Sequence, residues 1–167
     1  MAIKSYGLFW RADEIDWHPG KGVRSFHLFG RNGTNTNRIE MADFRMQQGI
    51  YILYDDYGPY YVGLTRMQGL GKRLKDHRSD EHRGKWDRFS WFGFCALLVA
   101  NKTTGLRPLR KMPESQIAAP KKWIGDVEAL LILAMGTSAN FRQMNFHGAQ
   151  KWTQVEEDRV EYYKGRL

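Results

Sequence analysis

A chain of 167 residues that is 42% hydrophobic and 14% aromatic has enough apolar mass for one domain with a closed core, which argues against a disordered tail. Its 26 Lys and Arg against 18 Asp and Glu leave a formal charge of +8, the balance that draws a protein to polyanions, nucleic acid before acidic membrane surfaces. Cys95 is the single cysteine, which excludes an internal disulfide and a Cys-x-x-Cys zinc site and sets the expectation of a reducing, cytoplasmic location. The first apolar patch meets Arg11, Asp13 and Glu14 too soon for a signal peptide, and no apolar run reaches membrane-spanning length.

Residues 1–48 read as a β-rich arm of short strands and turns: Tyr6 to Trp10, the turn His18-Pro19-Gly20-Lys21-Gly22, Phe26 to Phe29, then Asn32-Gly33. Trp10 and Trp17 are expected to anchor a small core there. Gly49-Ile50-Tyr51-Ile52-Leu53-Tyr54 is a β-branched and aromatic run, Asp55 to Pro59 is turn chemistry, and Tyr60-Tyr61-Val62-Gly63-Leu64 is a second run, which together predict a hairpin. Beyond a loop, Leu70 and Leu74 form one stripe and Arg73 and His77 another, each pair one helical turn apart, so an amphipathic helix with an apolar and a basic face is expected.

Phe89 to Val99 reads as a long buried central strand, the third of the sheet. Asn101 to Pro120 carries Lys102, Arg107, Arg110 and Lys111 among three prolines and a glycine, and is expected to be a basic surface loop. Ile124, Val127, Leu131 and Ala134 recur at helical spacing and predict a helix over Trp123 to Met135, with Gly136 as its stop. Gln150 to Lys164 reads as a further helix with a solvated charged face.

Glu128 stands out, because its neighbours one turn away on either side are Ile124 and Ile132. A carboxylate in such a stretch needs a partner, either an Arg or Lys in a salt bridge or a divalent cation. Arg73 and His77 admit two readings as well: a solvated basic face touching phosphates, or a cation for phosphate charge beside a proton carrier. Tyr51 and Tyr61 are core tyrosines by default, while Gly49 and Gly63 mark places where a backbone or ligand must come close. His77 and His82, with Asp76 or Asp80 near them in sequence, are a candidate metal group, but five residues put the two histidines about 140° apart on a helix, so they would not share a zinc ion.

Taken in order, Gly49-Ile50-Tyr51, a short hairpin connection, Tyr61-Val62-Gly63, a helix bearing Arg73 and His77, and Glu128 on a later helix with Asn140 soon after resemble the GIY-YIG endonuclease family over roughly residues 49–145. Position 62 is valine where the motif has isoleucine, and Met67-Gln68-Gly69-Leu70-Gly71 makes the link to the helix somewhat long.

The resemblance implies an α/β (α+β) domain with a three-stranded antiparallel sheet flanked by helices over residues 49–147, after the extension 1–48 and before a helical tail, 148–167. It implies a single Mg2+ or Mn2+ held by Glu128, Tyr51 as general base, and Tyr61 and His77 holding or activating it. Arg73 would stabilise the phosphate, and Asn140, or Asn145 in its place, would position the metal or phosphate surroundings. The expected activity is metal-dependent hydrolysis of DNA, in restriction or phage defence, in repair or in a mobile element, by one chain or by two acting together. A non-catalytic nucleic-acid-binding module on the same fold and a basic scaffold protein are the alternatives. Lys72, Lys85, Arg88, Lys102, Arg107, Arg110, Lys111, Lys121 and Lys122 are the expected phosphate contacts.

Overall fold

Parity of position organises the centre of the molecule. Along the strand Gly49–Asp55, Tyr51 and Leu53 join one apolar cluster while Ile50, Ile52 and Tyr54 join another, as a strand with a period of two and both faces covered must do. A computed structural model of the chain describes residues 3–18, 26–32, 40–65 and 68–110, together with 125, 127–129, 131, 132, 135, 137, 139 and 140.

Among these residues the elements are β1 (Ser5–Arg11), β2 (Phe29–Asn32), β3 (Glu40–Asp43), β4 (Gly49–Asp55), β5 (Gly58–Thr65), α1 (Gly69–Asp76), β6 (Arg88–Gly93) and β7 (Leu106–Arg107). The fold is mixed α+β. One antiparallel sheet runs in the order β1-β6-β4-β5, and a smaller one, β2-β3-β7, pairs β2 and β3 antiparallel and β3 and β7 parallel.

The first face of the large sheet carries Tyr51, Leu53, Phe89 and Trp91, and on it pack Leu70 and Leu74 of α1 with Trp17, Phe26, Leu28 and Phe44 from the first part of the chain. The opposite face carries Ile50, Ile52, Val62 and Tyr54 under Leu131, Ile132 and Met135, which belong to the helical residues after 124. Trp17 anchors its own segment: it is buried, and its indole N–H donates to the Ala12 carbonyl at 2.7 Å.

Three expectations change. The sheet has four strands where three were expected, because β1 adds antiparallel to β6, and the core on that face mixes residues from before and after position 48. The strand beginning near Phe89 ends at Gly93 instead of reaching Val99, and the buried side chain of Gln47 accounts for it. Gln47 donates to the Cys95 carbonyl at 3.1 Å and to Ser5 Oγ at 3.0 Å, and accepts from the Cys95 N–H at 2.9 Å. It thereby takes the backbone groups that a continuing strand would offer its neighbour. The basic segment after Val99 is more ordered than a loop: Leu98 N–H donates to Pro108 O and Arg110 N–H to Ala96 O, and the return carries β7 to the side of β3.

The helix expected over 150–164 and the whole of the 148–167 tail lie outside the described residues. No helix among the described residues is long and apolar enough to cross a membrane.

Candidate active site

Hairpin register places the two tyrosines. Tyr51 of β4 stands opposite Gly63 of β5, and Tyr61 stands opposite Leu53, so both phenols occupy the same sheet face one diagonal step apart, with ring centroids separated by 6.1 Å. Gly63 is required by this arrangement. A β-carbon there would collide with the ring carbon and hydroxyl of Tyr51, so the buried phenol lies across the position that lacks a side chain. Gly49 answers the same need for close approach, since a β-carbon would fall on the Phe92 carbonyl of the neighbouring strand. Gly63→Ala is expected to lower the unfolding free energy by about 1–3 kcal/mol, the usual cost of overpacking, as read by urea denaturation. An unchanged midpoint would show that Tyr51 does not rest on that glycine.

α1 crosses this face on its buried Leu70 and Leu74, which turns Arg73 toward the phenols. The helix ends at Asp76, and His77 is its C-cap, with its N–H donating to Arg73 O at 3.1 Å. The buried His77 ring sits between two partners: Nε2 lies 2.6 Å from the Tyr51 hydroxyl, and Nδ1 lies 2.7 Å from Asp80 Oδ2.

The protonation pattern follows from the charges. Burial alone would raise the Asp80 pKa, but hydrogen bonds from the His82 N–H and the His77 ring outweigh it and hold this carboxyl below the usual range. Asp80 is therefore an acceptor, so Nδ1 of His77 carries the proton. Burial pushes the His77 pKa down despite Asp80, so the ring is neutral at pH 7 and its bare Nε2 accepts from the Tyr51 hydroxyl.

Burial drives the Tyr51 pKa far above that of a free phenol, Tyr61 adds to the rise, and Arg73 opposes it. Tyr61 is raised too, first by burial and further by the charge of Glu128, with Arg73 again in opposition. At Arg73 burial works against the charge, yet the polar coupling to Tyr51 and Tyr61 more than compensates, leaving a firmly held cation that faces both hydroxyls.

The structure thus brings Tyr51, Tyr61, Arg73 and His77 together, with Glu128 near enough for its charge to be felt at Tyr61. Glu128 is helical and buried, only 7% exposed. Asn140 is held against the backbone of β5. Its Oδ1 accepts from the Val62 N–H at 3.0 Å and from the Thr137 hydroxyl at 2.6 Å, while its Nδ2 donates to Val62 O at 2.9 Å. Both lone pairs of that oxygen are taken, so Asn140 fastens the chain to the open edge of β5 next to Tyr61 and offers no ligand atom to a metal. Asn145 lies outside the described residues.

Sequence reading assigned Tyr60 no role and set His82 and Asp80 aside, although all three stand next to the site. His77 and His82 do not point apart, because the helix stops before both. Their rings stand edge to face with centroids 4.7 Å apart, His82 packs on Tyr61 at 4.5 Å, and Tyr60 Oη lies 3.2 Å from His82 Nδ1. Ser79 carried the available signal: its hydroxyl donates to the Asp76 carbonyl at 3.0 Å, a local bond that competes with helix continuation.

The expected phosphate contacts divide. Lys85, Lys102 and Arg110 are exposed. Lys72 is paired with Asp76. Arg88 donates to the Asp55 carbonyl and to Asp87, and Arg107 donates to Glu40 at 2.7 Å and to Leu98 O, so these two hold the fold together. Lys111, Lys121 and Lys122 lie outside the described residues.

The donor chemistry near Tyr61 fits a hard divalent cation: a buried carboxylate, Glu128, whose charge is felt at the Tyr61 phenol, with the single thiol, Cys95, buried elsewhere under Gln47. Comparison of the chain with protein-family models, with curated proteins and with solved structures finds no match.

Proposed function

We propose that the chain is a divalent-metal-dependent DNA endonuclease of the GIY-YIG type, and the observation that carries this reading is the hydrogen-bonded run Tyr51–His77–Asp80 beside Arg73. A phenol whose pKa is raised cannot wait at neutral pH as a phenolate. A phenol that hands its proton to a neutral imidazole while it receives one from water need not do so. The attacking water loses a proton to Tyr51 Oη, the Tyr51 proton passes to Nε2 of His77, and the resulting imidazolium is held by the Asp80 carboxylate. The new P–O bond forms as the bond to the leaving sugar oxygen breaks.

Arg73, already a firm cation, balances charge gathering on the phosphoryl oxygens. Tyr61 offers a second hydroxyl to orient the water. Glu128 is the residue that would hold Mg2+ or Mn2+, and the cation would supply stabilisation of the leaving oxygen. Lys85, Lys102 and Arg110 supply sequence-independent attraction to the backbone, which is expected to weaken steeply with salt.

The test is incubation of supercoiled plasmid with Mg2+ or Mn2+, with and without chelator, alongside a gel-shift measurement of binding. Metal-dependent nicking or linearisation is expected. Tight, salt-sensitive binding with no cutting in either metal would leave a nucleic-acid-binding module and reject the enzyme.

The relay also sets a pH dependence. His77 must be neutral to accept a proton, and its depressed pKa means that protonation, and with it loss of rate, begins only below the ordinary histidine value of about 6.5. Cleavage rates measured from pH 4.5 upward should therefore be level through neutrality and fall on the acid side of that value. An acid limb centred above pH 7 would contradict the assignment.

A further inference from the structure

We propose that His77, Asp80 and His82 form a second cation site, one suited to Zn2+, whose occupancy blocks the Tyr51 relay. One ligand atom from each of the three residues lies within 4.8 Å of the others. Two imidazoles and one carboxylate are a borderline donor set, matched to zinc-class ions and poorly matched to Mg2+, which takes oxygen ligands. A tetrahedral zinc ion asks for ligand atoms about 3.3 Å apart at bond lengths near 2.1 Å. His77 Nδ1 and Asp80 Oδ2 already stand 2.7 Å apart, so the closing movement falls to His82, while Asp80 is the one member whose side chain reaches solvent, 30% exposed against 2% and 4% for the two histidines. Its exposed side also gives a cation a way in and leaves a coordination position for water.

The surroundings hold the ligands in place. Asp80 Oδ1 accepts the His82 N–H at 2.9 Å, which fixes the turn between the two rings, and Tyr60 Oη steadies His82 at Nδ1. Such outer contacts orient ligating imidazoles in established metal sites.

The consequence for catalysis rests on the endonuclease reading, while the site itself does not. A cation bound to Nδ1 of His77 takes the position of the proton now shared with Asp80, and a neutral ring must then carry its proton on Nε2. That N–H donates to Tyr51 Oη, so His77 can no longer accept the phenolic proton. Zinc at this position inhibits without touching Glu128.

The full-length chain is titrated with Co2+, a visible-absorbing substitute for Zn2+, and then with Zn2+ as competitor. The wild type is expected to develop a Co2+ absorption that Zn2+ abolishes, and His82→Gln to bind Co2+ about tenfold more weakly or worse. Asp80→Asn is the second variant should His82→Gln fail to fold by circular dichroism, with the same loss expected. In parallel, cleavage at fixed excess Mg2+ is compared with and without Zn2+ within each variant, so that basal rates cancel. A suppression of about tenfold or greater is expected in the wild type and less than about twofold in His82→Gln, the scale of losing one ligand. Equal Co2+ spectra in wild type and variant, or no Co2+ spectrum at all, overturn the site. Equal Zn2+ sensitivity overturns the inhibition. A wild-type Co2+ spectrum in a chain that cuts no DNA keeps the site and rejects the endonuclease reading instead.

Discussion

Glu128→Gln is expected to lower Mg2+-dependent cleavage by about 10³-fold or more while leaving the thermal midpoint within a few degrees of wild type. Glutamine preserves the shape and hydrogen-bonding reach of the buried side chain and removes only the charge, so a residue whose task is to hold a cation should fail at that task alone. The alternative, a structural ion pair, makes the reverse forecast: loss of one buried partner costs about 3–5 kcal/mol and would appear chiefly as a lower midpoint. A second readout is available in the same variant. Because the charge of Glu128 helps to hold the Tyr61 pKa up, the Tyr61 phenol should titrate at lower pH after the substitution, as followed by tyrosinate absorbance. A variant that cuts normally but melts early would return Glu128 to the core.

Tyr51→Phe should cost about 10²–10⁴-fold in rate, the range of a lost proton-transfer group. Phenylalanine fills the same space over Gly63, so the core is not emptied. The residual penalty is one buried acceptor, Nε2 of His77, left without its donor, about 1–3 kcal/mol by urea denaturation. DNA affinity should be unchanged, since the hydroxyl acts on the water and not on the backbone. Full activity in Tyr51→Phe would mean that this tyrosine is only packing.

The parts of this molecule that could be read from the sequence are those set by local rules. The β-branched and aromatic runs within residues 49–64, with turn chemistry between them, give the hairpin and put Tyr51 and Tyr61 on paired strands, while the register that sets the two phenols diagonally comes from the structure. The paired stripes of Leu70 with Leu74 and Arg73 with His77 give α1 and its basic side. What escaped was non-local. β1 joins the sheet across 88 residues, from Ser5 to Gly93, and nothing in its own pattern selects β6 as a partner. Gln47 ends β6 from a distant loop by capturing the backbone of Cys95. The bonds of the Asn140 amide to the Val62 backbone, at the open edge of β5, are of the same long-range kind. The largest loss was at residues 77–82, where assuming one more helical turn separates two histidines that the actual turn brings face to face.

Cleavage in water enriched in oxygen-18, followed by mass spectrometry of the cut ends, tests the central claim most directly. If Tyr51 and His77 activate water, the terminal phosphate left on one end at each cut carries one heavy oxygen and the protein carries none of the DNA. Ends without the label, or a stable adduct between tyrosine and phosphate, would contradict the relay even if DNA were cut.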